Sequence, residues 1–205
     1  MLEIFLLNKV RRTVVILTVF ALTFAGVPFV LAGDETLPKP KVLGKETIYT
    51  SKRLSTYDSI IVKDFPINEA EVSNIGDRER SRYEAAKPKM VNILSEELIR
   101  QLKAKKLFKK VQRNKGETAK AIILEGKFTQ VNAGSRALKF AVGYGAGSSK
   151  ITIQGRLLDA TTKKELAVFE NDRHSPFNLA DFERIFMEDT KNQAKDLAEF
   201  LGKLY

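Results

Sequence analysis

Apolar positions along the chain fall into two periods, and the switch between them marks out the elements. In Asp58 to Phe65 (DSIIVKDF), Ile60 and Val62 alternate with polar neighbours and Phe65 closes the run before Pro66, which predicts a strand. Residues 67–84 are polar and read as a loop or short helix. From Lys87 to Lys106, Met90, Leu94, Leu98 and Leu102 recur every fourth residue beside Val91, Ile93 and Ile99. That spacing predicts an amphipathic helix, with Pro88 tolerated in a first turn where the missing N–H has no partner to lose. Leu107 to Arg113 reads as a short strand. Ala121 to Val131 predicts a longer one with Ile122, Leu124, Gly126 and Phe128 on one face, and Lys150 to Ala160 repeats the pattern with Ile151, Ile153, Gly155 and Leu157. A turn through Thr161 to Lys164 leads into Glu165 to Glu170, so the last three strands form a meander. Asn178 is the expected N-cap, with Asp181 three residues on, of a closing helix marked by Phe182, Ile185, Phe186, Ala194, Leu197, Leu201 and Leu204.

The order β-α-β-β-β-β-α predicts an α+β fold. A single domain over residues 58–205 would carry a mainly antiparallel or mixed five-stranded sheet with both helices on one face, because each element has one apolar side to bury. Upstream, residues 33–57 hold Pro38, Pro40 and Gly44 without an apolar period and read as a linker. Before them, Lys9, Arg11 and Arg12 precede an uncharged run from Thr13 to Ala32, the layout of a secretory signal peptide with cleavage between Ala32 and Gly33. The same run could be kept as an inner-membrane anchor, since about 20 apolar residues span a bilayer, although Pro28 interrupts it. A lipid anchor would need a cysteine at the new amino terminus.

Composition narrows the chemistry. The 205 residues include no cysteine, no tryptophan and one histidine, which excludes disulfides, thiolate catalysis and zinc sites built on cysteine or paired histidines. No catalytic residue, metal or cofactor is expected. His174, in NDRHSPFN with Asp172 and Ser175 beside it, reads as a residue of the loop before the closing helix, and Ser135 lacks a nucleophile-elbow context. Asp58, Asp64 and Asp159 flank strands, and whether any two of them meet across the sheet is open at this stage.

Thirty-five Lys and Arg against 25 Asp and Glu leave an excess of positive charge, and it is concentrated. Lys87 to Lys127 holds twelve basic residues and four acids, an excess equal to that of the whole chain after residue 32. Lys103, Lys105, Lys106, Lys109, Lys110 and Arg113 form a cationic patch where the first helix gives way to a strand. Two readings stand: cations that complement a helix C-terminus, or a surface for anionic lipid or acidic polymer. Nucleic acid is not expected, since no recognition motif or interleaved aromatic accompanies the lysines.

Between the expected strands Ala121–Val131 and Lys150–Ala160 lies Gly134 to Lys150, GSRALKFAVGYGAGSSK, too long for a hairpin turn. Gly143, Gly145 and Gly147 alternate as G-x-G-x-G and precede a strand, which is not the layout of a dinucleotide loop. Leu138, Phe140, Val142 and Tyr144 take the opposite parity to Lys139 and these glycines. An extended arm with one apolar face fits, and so does a bulged hairpin packed on its own protein.

GSRALKFAVGYGAG, with the later LLDATTKKELAVF, resembles an uncharacterised family of bacterial envelope proteins, domain of unknown function 4410. Its signature is G-S-R-x-x-[RK]-x-x-V-G-x-G-A-G, and the likeness runs from about Ser59 to Phe169. More distantly, the glycine-rich element, strand and turn are similar to the curli assembly lipoprotein family, whose periplasmic domain oligomerises and extends hairpins into the outer membrane. The missing lipidation cysteine and the short apolar alternation depart from that pattern. The resemblance implies an exported, non-enzymatic protein, periplasmic or associated with the outer membrane. Its arm residues Gly134, Ser135, Arg136, Lys139, Gly143, Tyr144, Gly145 and Gly147 would meet a second copy or another envelope protein. The basic patch on a membrane surface is the alternative, and a periplasmic hydrolase a further one.

Overall fold

The computed structural model describes residues 37, 39–135, 147–175 and 182–205. Seven strands and two long helices make an α+β unit: β1 (Lys45–Ile48), β2 (Ser59–Val62), β3 (Glu71–Ser73), α1 (Asp77–Ala104), β4 (Lys110–Arg113), β5 (Ala121–Asn132), β6 (Ser149–Asp159), β7 (Glu165–Ser175) and α2 (Phe182–Leu204). The strands form one mixed sheet in the order β1-β7-β6-β5-β2-β4, with β3 beside the far end of β5. β5, β6 and β7 are the expected antiparallel meander. By contrast, β2 runs parallel to both of its neighbours, β4 and β5.

One face of the sheet carries the core. Ile60, Val62, Ile122, Leu124, Phe128, Ile151, Ile153 and Leu157 alternate onto it and pack with Met90, Leu94, Leu98 and Leu102 of α1 and Leu197, Phe200, Leu201 and Leu204 of α2. Both helices therefore lie on this inner face, as their apolar stripes require. The outer face has a smaller apolar patch of Ile61, Ala121, Ile123, Leu158 and Ala160. Since β4 and β5 both run parallel to β2, residues 114–120 must return along β2, and Gly116 crosses that face close to Ile61.

Glycine appears twice in the sheet for one reason. Gly126 of β5 faces Gly155 of β6 in register, and a Cβ on either would strike a ring, Phe65 over Gly126 and Phe169 over Gly155. Both rings are buried, so they occupy the volume that two side chains would otherwise fill.

Four expectations need correction. The sheet has seven strands, not five, because β1 and β3 span only four and three residues and show almost no apolar alternation. β1 forms inside residues 33–57, read as a linker, where it pairs with β7, and Leu54 nearby is fully buried. α1 begins at Asp77, ten residues before the expected start, since Tyr83 and Ala86 are buried and bind a largely polar stretch to the body. Pro88 accordingly lies inside the helix, where it leaves the Glu84 carbonyl without its usual donor. β7 continues to Ser175, which places His174 on a strand and not in a loop.

Candidate functional site

The glycine-rich segment springs from the paired ends of β5 and β6. Their ladder runs from Ile122 opposite Asp159 to Asn132 opposite Lys150, with one bulge between Phe128 and Gln130. Beyond it the Ser135 N–H donates to the Gly147 carbonyl at 3.0 Å, closing the base of the segment. Gly134 and Gly147 both have φ of 82°, a left-handed conformation that glycine adopts without a Cβ clash. Asn132 binds the base together: its Oδ1 accepts from the Gly134 N–H at 2.7 Å and from Asn74 Nδ2 at 2.9 Å. β3 lies parallel to Gln130–Asn132 and thickens this end of the sheet. Arg136, Lys139, Gly143, Tyr144 and Gly145 lie outside the described residues. Gly134, Ser135 and Gly147 are thus brought together, as the two feet of the arm.

Beside these feet the ends of β6 and β7 are pinned by polar side chains. Ser149 Oγ donates to the Ser175 carbonyl at 3.2 Å, and Ser175 Oγ donates to Asp189 Oδ1 of α2 at 2.5 Å. Asp189 is buried, its Oδ2 has no partner among the described residues, and burial pushes its carboxyl above the ordinary range. One turn further along α2, the buried Gln193 donates to the carbonyls of Ile151 at 3.0 Å and Asn171 at 3.1 Å. It also accepts from Asn171 Nδ2 at 2.7 Å. Arg173 grips Asp196 with two guanidinium nitrogens. A helix that has to satisfy inward-facing polar residues of β6 and β7 is fixed in register by them. Sequence reasoning missed this network, whose side-chain bonds link residues 14 to 42 positions apart in the chain.

The cationic patch divides. Lys109 pairs with Asp58 and Lys110 with Glu117, each at 2.8 Å. Arg113 is a structural clamp: its Nε donates to Asp64 at 2.7 Å and its Nη2 to Asn92 at 2.6 Å, joining the ends of β4 and β2 to α1. Ser95 and Asn114 also donate to the Asp64 carboxylate. Burial works against ionisation there, but the donors and the Arg113 charge outweigh it and hold the group at about 2. Lys103, Lys105 and Lys106 stay exposed at the end of α1.

His174 is exposed on the outer face, opposite Lys150. The three carboxylates considered for acid–base work have separate partners: Asp58 meets Lys109, Asp64 meets Arg113, and Asp159 accepts from Tyr57 Oη at 2.9 Å. Among the described residues no three carboxylate or histidine side chains gather as a metal site. A groove of about 550 Å³ crosses the outer face above Gly126 and Gly155, flanked by Lys63, Glu125, Lys127 and Arg156. Its Arg156 is already bound by Glu125 at 2.7 Å and Glu165 at 3.0 Å. No described helix is long and apolar enough to cross a membrane.

The fold thus joins β2, α1 and β4 to the β5–β6–β7 meander and α2, with the glycine-rich segment between β5 and β6. Residues 60–177, more than half of the chain, match the family model described as Domain of unknown function (DUF4410). The chain belongs to that family, as the resemblance implied. No curated protein matches the sequence. Among solved structures, a PelC dodecamer from Paraburkholderia phytofirmans is similar at 13% identity and a TM-score of 0.44, over 76% of this chain and 97% of that one. A protein from Xanthomonas campestris assigned to DUF330 is similar at 10% identity and a TM-score of 0.45, over 75% and 90%.

Proposed function

We propose that the protein is an exported, non-enzymatic module of the cell envelope, periplasmic or associated with the outer membrane, that uses the 134–150 arm to assemble with itself or with another envelope protein. The observation that carries this reading is the closed base of the arm. The Ser135–Gly147 backbone bond continues the β5–β6 ladder, and Asn132, Asn74, Ser149 and Ser175 hold both feet to the body. So firm a base supports a projecting element better than it supports a slack connection. The family match, over residues 60–177, takes in the whole arm. A basic head, apolar run and small-residue exit over residues 1–32 support export.

A photo-crosslinking residue placed at Tyr144, with a second at exposed Lys89 of α1 as comparison, tests the reading in cells. Bands of dimer size or larger should arise from position 144 and not from 89. Equal yields from the two positions would exclude the arm as the contact.

A further inference from the structure

The two helices terminate at the end of the sheet from which β2, β4 and β5 start, opposite the end that carries Ser135 and Gly147. The Phe108 and Tyr205 rings meet there at 5.3 Å, one just past α1 and the other just past α2. Other segments reach the same end. Thr161 Oγ1 of the β6–β7 turn donates to the Thr118 carbonyl at 3.2 Å, and the N–H groups of Tyr49 and Thr50 share the Leu166 carbonyl at 2.9 and 3.1 Å. Asp58 and Ser59 donate their N–H groups to the Lys120 carbonyl at the head of β5.

Stretches far apart in sequence therefore converge on one end, and most bring lysine. Lys105, Lys106, Lys120, Lys163, Lys164 and Lys203 are exposed there and have no ion-pair partner among the described residues. Four acids near this end have partners: Asp58 and Glu117 pair with Lys109 and Lys110, Glu165 pairs with Arg156, and Asp159 accepts from the Tyr57 hydroxyl and the Thr161 and Thr162 amides, while Glu199 is exposed one turn before Lys203. Helix dipoles account for a cation in the last turn of each helix, such as Lys203. They do not account for Lys120, Lys163 and Lys164, which sit on loops at strand ends.

We infer that this end of the molecule docks on an anionic phospholipid bilayer. Its charges are lysines, compact hydrated cations suited to a diffuse field of headgroups more than to the paired-oxygen geometry an arginine fork recognises. They stand on loop tips and helix ends, not along a groove that would track a polymer strand. Tyr49, 52% exposed, lies at the same end, and an amphipathic ring there suits the boundary between headgroups and acyl chains. Docked in this way, the eleven residues of β6 separate the bilayer from Ser135 and Gly147 by about 35 Å. The inference does not depend on what the arm binds.

Lysine acylation by a water-soluble reagent, read peptide by peptide, tests it on the full chain. Vesicles of phosphatidylcholine alone are compared with vesicles in which about a third of the lipid is phosphatidylglycerol. The apolar amino-terminal run, with Lys9, Arg11 and Arg12 before it, is itself drawn to anionic vesicles, so the readout is which lysines of residues 39–205 are protected and not how much protein binds. Labelling of Lys105, Lys120, Lys164 and Lys203 should fall several-fold only on the anionic vesicles and recover with added salt, while Lys89, Lys191 and Lys195 on the helices stay unchanged. In the variant K105Q/K164Q/K203Q, the remaining Lys120 should lose its protection. Uniform labelling on both vesicle types would overturn the inference. So would protection by soluble polyphosphate with none on the vesicles, which would point to a polymer.

Discussion

The Arg113 guanidinium lies 2.7 Å from the Asp64 carboxylate, and this contact turns the last cation of a basic run into a tie between two parallel strands. Arg113 ends β4 and Asp64 follows β2, so the pair closes the gap where residues 63–66 leave the sheet. The folded carboxyl is held at about 2, below its unfolded value near 3.9, so its contribution to stability is fully present above about pH 4 and lost as pH falls toward 2. Asp64→Asn should lower stability at neutral pH by about 1.5–3 kcal/mol, the scale of a hydrogen bond to a charged group. Urea unfolding at pH 7 and at pH 2 checks this, and the difference between wild type and variant should shrink at the lower pH.

Asp189 has the opposite sign. Its carboxyl is raised by burial, so the folded state holds the proton more tightly than the unfolded chain and stability declines as pH rises from the unfolded value through the folded one. Asp189→Asn keeps an oxygen to accept from Ser175 and carries no charge to bury. The variant should show less decline in melting temperature between pH 4 and 8 than the wild type, and a higher one at pH 8.

Gly155 should tolerate no side chain. A Cβ there would stand 2.5 Å from the Phe169 ring and 2.7 Å from the Glu125 carbonyl, and the carbonyl belongs to a ladder that cannot shift alone. Gly155→Ala is expected to cost about 1–3 kcal/mol by overpacking. Gly202→Ala is the comparison, since its Cβ would meet only Leu107, at 3.8 Å. Thermal unfolding of the two variants side by side should separate them clearly.

Lys106 ends α1 in a conformation suited to glycine. With φ of 53°, it lets the Leu107 N–H reach the Leu102 carbonyl at 3.5 Å and its own N–H reach Lys103 at 3.1 Å, the paired bonds of a left-handed helix stop. Lys106→Gly should raise stability by about 0.5–1 kcal/mol, read as a shift in the urea midpoint.

Much of this architecture is visible in the sequence because it rests on apolar period. Met90 to Leu102 announce α1, and Ile122 to Leu157 announce β5 and β6 with their glycines already in phase. The pattern fails where burial is achieved by other means. Residues 77–86 are polar apart from Tyr83, Ala85 and Ala86, so nothing local distinguishes a helix there from a loop. NDRHS reads as a loop, yet Asn171 and Arg173 face α2 and are satisfied by Gln193 and Asp196. The feet of the arm were legible as Gly134, Ser135 and Gly147, whereas the anchors Asn74, Asn132 and Asp189 carry no local signal. The lysines of the cationic end are likewise scattered in sequence, and only the sheet topology gathers Lys120 and Lys164 with Lys105.

Intact mass and native size, measured together on the full-length protein recovered from a bacterial envelope and on a version with residues 136–146 replaced by Asn-Gly, test the assembly reading most directly. The expected result is a mass lacking residues 1–32 in both, with a particle larger than a monomer for the natural chain and a monomer for the shortened one. A single particle size for both proteins, with no partner retained by either, would contradict it.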